Sequence, residues 1–184
     1  MSVRFDRRGS EDEAIQKNRL KNIFKNVTSS INLNLDLSYW DSVSKGNSKD
    51  AVLMKECGEL VKPNETGYKR VPGRDTKTFD GLAMISNGIK NLNVYMFCKY
   101  TKNRGGQQDS IMYEVASTTN AISNNKDENC LFMFLLEGDR WENNKDLIND
   151  RGFNDKAILL PTTGNDSEIS EKIKNALLNY FYNN

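Results

Sequence analysis

Residues 78–101 read TFDGLAMISNGIKNLNVYMFCKYT, and this stretch decides the fold. Two runs rich in apolar and aromatic residues, 78–86 and 92–101, flank the turn Asn87-Gly88-Ile89-Lys90-Asn91. Asn-Gly favours the left-handed backbone of a tight hairpin turn, so two antiparallel strands are expected. Such pairing brings Asp80, on the first strand, next to Lys99, near the end of the second. A carboxylate beside an ammonium at a sheet edge suits phosphodiester cleavage. The carboxylate holds a divalent cation, the cation polarises the phosphate and acidifies a water, and the ammonium orients the nucleophile or neutralises growing charge. An isolated Asp-Gly pair is also an ordinary turn signature, and a strand-end lysine is commonly solvated. The hairpin alone leaves both readings open.

Downstream, a polar loop at 102–108 contains Gly105-Gly106, and a helix is expected over about 109–123. Cys130–Leu136 (CLFMFLL) is short, wholly apolar and bounded by polar turns, as a buried strand should be. A further strand is expected at Lys156–Leu160, stopped by Pro161. The last helix begins near Ser167 and presents Ile169, Ile173, Leu177 and Tyr180 on one stripe. Upstream, residues 1–10 read as a flexible basic arm. From Glu11 to about Val27, the spacing of Ile15, Leu20, Ile23, Phe24 and Val27 predicts an amphipathic helix with acidic residues at its start. Residues 48–61 read as a helix or irregular segment. Residues 62–77 carry two of the three prolines and the cluster Lys69, Arg70, Arg74, Lys77, and read as an exposed loop. The order helix, hairpin, helix, strand, strand, helix predicts one mixed α/β domain over residues 1–184, without repeats.

The chain has 184 residues, 37% hydrophobic, with a mean hydropathy of −0.70. No run approaches the ~20 apolar residues of a membrane span, and MSVRFDRRGSEDEAI lacks the apolar centre of a secretory leader. A cytoplasmic protein is expected. Cys57, Cys98 and Cys130 are odd in number and far apart, which fits reduced thiols and gives no zinc-type pair. There is no histidine. That excludes Ser-His and Cys-His nucleophiles, His-ligated zinc hydrolases and nucleases with a histidine base. Hydrolytic chemistry must run on Asp, Glu and Lys with a hard cation. The net charge of +1 is neutral evidence on nucleic-acid binding.

The series Asp80-Gly81, Lys99, Asn120-Ala121 and Leu136-Glu137-Gly138-Asp139, in this order and at these separations over residues 78–141, resembles the catalytic core of the EcoRI/MunI-like restriction endonucleases of the PD-(D/E)xK nuclease superfamily. The resemblance implies a restriction-endonuclease-like fold, a central mixed sheet flanked by helices. It implies a Mg²⁺-dependent type II enzyme that cuts double-stranded DNA as a homodimer through the helix carrying Asn120, leaving 5′-phosphate ends. A cognate methyltransferase in the same restriction-modification system would accompany it. Asp80 would be the first metal ligand, with a backbone carbonyl next to Lys99 as another, and Lys99 would position the attacking water.

Four departures qualify the match. The glutamate expected two residues before the lysine is Phe97, which cannot bind a metal. In some superfamily members that carboxylate has moved to the following helix. Glu114, fifteen positions after Lys99, is the candidate for the moved ligand, with Asp109 in reserve. The family's proline before the aspartate is Phe79, and its glycine before Asn-Ala is Thr119. In the family Asn-Ala contacts central adenines, so Asn120 and Ala121 are candidate base contacts. Ser123 and Asn124 replace the family's Glu-Arg pair, which leaves the outer bases open. Lys102, Arg104, Gln107 and Gln108 are candidate contacts from the Gly-Gly loop. Trp40 and Trp141 read as packing or interface residues. The alternatives are a catalytically silent DNA-binding protein, motivated by Phe97, a structure-specific repair or recombination nuclease, and a plain α/β interaction protein.

Overall fold

The structure, a computed structural model, describes residues 8–100, 108–138, 141, 152–161 and 165–183. Helix α1 (Arg8–Ser30) leads into the short strand β1 (Asn34–Asp36). A small hairpin of β2 (Leu53–Met54) and β3 (Leu60–Val61) and one helical turn, α2 (Pro63–Thr66), follow. Then come β4 (Gly81–Ser86), β5 (Asn91–Tyr100), α3 (Gln108–Asn124), β6 (Cys130–Glu137), β7 (Ala157–Leu159) and the closing helix α4 (Asp166–Tyr182). The main sheet has five strands in the order β1-β4-β5-β6-β7. β1, β4 and β5 pair antiparallel, whereas β6 and β7 add in parallel, so the sheet is mixed.

Alternation along β5 separates two cores. Val94, Met96 and Cys98 face a layer built from α1 and α4, with Leu20, Phe24, Ile169, Ile173 and Leu177. Tyr95 and Phe97 face the α3 layer, with Val115, Ile122, Phe132 and Phe134. A sheet buried on both faces needs continuous apolar strands, and CLFMFLL at 130–136 is buried throughout. The hairpin turn forms as its chemistry requires. Gly88 takes φ +87°, and the Asn87 carboxamide accepts from the Ile89 and Lys90 amides at 3.0 and 2.8 Å.

The structure corrects several expectations. α1 already includes residues 8–10, and the arm before them lies outside the described residues. Ile15 is 64% exposed, and the buried stripe begins instead with Gln16, whose amide donates to Glu137 at 2.6 Å. Residues 48–61 hold the β2–β3 hairpin rather than a helix. The loop 62–77 is anchored: Asp75 and Thr76 are buried, and the Asp75 carboxylate accepts from the Tyr68 hydroxyl and the Val71 amide. In α4, Phe181 joins the buried stripe. Tyr180 packs at its margin and donates to the Asn91 carbonyl at 2.9 Å. Among the described residues no helix is long and apolar enough to cross a membrane. Trp40 and Trp141 are fully buried and serve as packing.

Candidate active site

The hairpin register fixes where Asp80 and Lys99 stand. The paired register ends at Gly81 and Met96, so Asp80 comes just before the first paired residue of β4, at the end of the hairpin where β5 runs on to Lys99. Asp80 is held at both ends. Its amide donates to the Met96 carbonyl at 2.8 Å, and its carboxylate accepts from the Cys98 amide at 2.8 Å. Phe79 before it is fully buried and packs against Tyr95 and Phe132, with ring centroids 5.1 and 5.5 Å away. Gly81 after it faces the Trp40 ring, which would sit 3.3 Å from an added Cβ. The Asp-Gly pair is therefore not a turn. Its glycine makes room for a tryptophan while the aspartate caps the Cys98 amide.

Lys99 stands at the carboxyl end of β5, beside the carboxyl end of the parallel strand β6, the usual place for a binding crevice in a parallel sheet. Its ammonium lies 5.1 Å from the centre of the Phe97 ring. α3 brings Glu114 over the same end of the sheet, and α1 brings Glu13. These groups converge on a cavity of about 440 Å³ lined by Glu13, Lys77, Lys99, Tyr113, Glu114 and Ser117, with Arg70, Gly73, Asp75 and Thr76 on the loop side.

The electrostatics bind the cluster together. Burial raises the Asp80 carboxyl above its usual range, opposed by the charges of Lys99 and Lys17 and by the Cys98 hydrogen bond. Glu13 is raised by burial, with Lys99 and Lys77 opposing and Asp80 and Glu114 adding to the rise. Burial works against the Lys99 ammonium, yet Asp80, Glu114 and Glu13 outweigh it and hold its pKa above the ordinary lysine value. Glu114, 13% exposed, pairs through Oε2 with Lys77 at 3.0 Å. Its Oε1 is buried and has no hydrogen-bond partner among the described residues.

The donor set suits a hard divalent cation. The three carboxylates offer oxygen ligands, and Glu114 Oε1, buried without a hydrogen-bond partner among the described residues, has a lone pair that a ligand could take. Among the described residues no three such groups stand together as a ready-made ligand set.

The sequence-derived candidates sort clearly. Lys99 and Glu114 share the cavity lining, and Asp80 is electrostatically coupled to both without lining it. Phe97 is a core residue, 4% exposed, with its ring 5.1 Å from that of Phe134. Asn120 is exposed, one turn beyond Ser117 on the stripe that passes Tyr113 and the cavity. Ala121 is corrected: it is 1% exposed and packs in the α3-side core, so the helix backbone would have to move before it touched a base. Lys102, Arg104 and Gln107 lie outside the described residues. Gln108 opens α3, with its side chain and that of Asp109 outside the description. Glu137 is committed to structure through Arg19 on α1, 2.7 Å away. Arg70 is spent on the loop, donating to the Thr76 carbonyl at 2.9 Å, whereas Lys69 and Arg74 are exposed.

Glu13 is the member that the sequence reading missed. It sits in the acidic start of a helix, where a carboxylate is expected for the macrodipole alone. A larger depression, about 960 Å³, lies at the other end of the sheet beside Asn91, Asn129 and Tyr180. Lys90, Lys156, Asp127, Glu128 and Asp155 line it as well, and its Lys156 ammonium is taken up by the Asn125 and Asp127 carbonyls at 2.9 and 2.7 Å. Comparison with known proteins adds no relative: no family model matches the chain, and no curated protein or solved structure is significantly similar to it.

Proposed function

We propose that this chain is a Mg²⁺-dependent endonuclease of the type II restriction class acting on double-stranded DNA. The observation that carries the reading is that Lys99 and Glu114 line one open cavity, with Asp80 electrostatically coupled to both and a buried Glu114 oxygen without a hydrogen-bond partner among the described residues. Asp80 and Glu114, from a strand edge and the following helix, are the ligands proposed for the cation, and Glu13 adds charge beside them. Bound there, a divalent cation would polarise the scissile phosphate and lower the pKa of an attacking water.

The protein's own groups do the rest. The Lys99 ammonium, kept charged by the surrounding carboxylates, orients the nucleophile and offsets charge building on the phosphate. The Cys98 amide fixes the Asp80 carboxylate, so one oxygen is held while the other stays available. Asn120, on the exposed stripe beyond the cavity, is the contact proposed for a base edge. A palindromic target, 5′-phosphate ends, a homodimer related through α3 and a cognate methyltransferase belong to the same proposal and rest on the family resemblance.

Incubation of sequence-diverse plasmid DNA with Mg²⁺ or with EDTA tests it. Discrete Mg²⁺-dependent fragments are expected from the wild type, and none from Glu114→Ala. Unchanged cleavage by Asp80→Ala and Lys99→Ala would remove the site assignment. One observation favours a second reading, a DNA-binding protein without cleavage: Phe97 is built into the core where the family carries a ligand. Salt-sensitive, sequence-selective binding by a protein that cuts with no divalent metal would decide for it.

A further inference from the structure

We infer that Lys77 is an internal stand-in for the cation: its ammonium neutralises Glu114 until a divalent ion takes that carboxylate, and it then leaves. The inference rests on the metal-site reading above and adds a competing occupant to it. Lys77 Nζ lies 3.0 Å from Glu114 Oε2, and the two side chains are unequally covered, 60% exposed for the lysine and 13% for the glutamate. A nearly buried carboxylate needs a counter-charge, whereas a mostly exposed lysine can withdraw without disturbing any packing.

The backbone that carries Lys77 is fixed on both sides. The Thr76 amide donates to the Met54 carbonyl at 2.9 Å, and the Phe79 amide donates to the Val52 carbonyl at 3.0 Å. The ammonium therefore swings from a rigid base. Charge balance points the same way. Glu13, Asp80 and Glu114 face Lys99 and Lys77, so an added divalent ion leaves the cluster with surplus positive charge. Lys99 is enclosed by carboxylates, and Lys77 is the lysine free to go.

The test is Ca²⁺ binding by calorimetry to the wild type, Lys77→Met and Lys77→Arg. Loss of a partly exposed competitor should tighten Ca²⁺ binding by about two- to fivefold in Lys77→Met. Lys77→Arg, which keeps the charge, should bind as the wild type does. Equal or weaker binding by Lys77→Met, with Ca²⁺ still binding the wild type, overturns the stand-in role and leaves the metal site intact. No Ca²⁺ binding by the wild type overturns both. Should Lys77→Met fail to fold, the wild type carries the test by amine acetylation and mass spectrometry. Lys77 should label faster with Ca²⁺ than with EDTA, and an unchanged labelling rate overturns the proposal.

Discussion

Replacing Phe97 with glutamate would restore the triplet spacing of the resembling family, and the structure predicts that the protein loses stability for it. Phe97 is 4% exposed, lies 5.1 Å from the Phe134 ring, and fills the layer between β5 and α3. Removing a buried aromatic ring from such a layer costs about 3–5 kcal/mol. The new carboxylate could turn toward Lys99, whose ammonium already lies over the ring, and recover up to about 1 kcal/mol. A net loss of about 2–5 kcal/mol is expected for Phe97→Glu, against about 1 kcal/mol for Phe97→Leu, which stays apolar. Urea unfolding at neutral pH measures both. Cleavage should survive in Phe97→Leu and fall in Phe97→Glu as the α3 layer loosens. Wild-type stability in Phe97→Glu would refute the reasoning. It would mean that position 97 opens onto the cavity and that its phenylalanine marks a lost ligand.

Three other outcomes are expected. Burial raises the Asp80 carboxyl, so the native state holds its proton to higher pH than the unfolded chain. Stability from this group is present below the ordinary carboxylate range and is lost as pH rises through the raised native value. Asp80→Asn should therefore unfold at higher urea than the wild type at neutral pH, with the gain shrinking on acidification and no cleavage at any pH. Glu13→Gln should lower cleavage at limiting Mg²⁺ by about tenfold or more, with partial recovery at high Mg²⁺, as titration of initial rates would show. Gly58→Ala should cost about 1–3 kcal/mol in urea unfolding, because Gly58 has φ +88° and an added Cβ would fall 2.4 Å from the Asn124 backbone where the β2–β3 hairpin meets α3.

What the chain reveals in one dimension follows the range of the interactions involved. The β4–β5 hairpin, α3 and β6 were legible because turn chemistry, helical spacing and an unbroken apolar run are local signals. Strands β1, β2 and β3 were not. They are two or three residues long and exist through partners that only the folded chain supplies. Ile15 was assigned to the buried stripe because its spacing fits, but tertiary packing turned α1 so that Gln16 faces inward instead. Of the candidate site, the nearness of Asp80 and Lys99 was legible in the hairpin, and Glu114 came from the family resemblance. Glu13 could not, since nothing near it in sequence marks a carboxylate that meets the sheet edge from α1. The reason for Gly81 was hidden too, because Trp40 reaches it from forty-one positions away.

Whether the cluster of Asp80, Lys99 and Glu114 cuts DNA is tested most directly by single-turnover cleavage of phage DNA under Mg²⁺, comparing the wild type with Lys99→Ala and Glu114→Ala at matched folded concentration. Discrete fragments from the wild type, suppressed by EDTA and lost in both variants, are predicted. Fragments that persist in both variants, or a folded wild type that cuts with neither Mg²⁺ nor Mn²⁺, would contradict it.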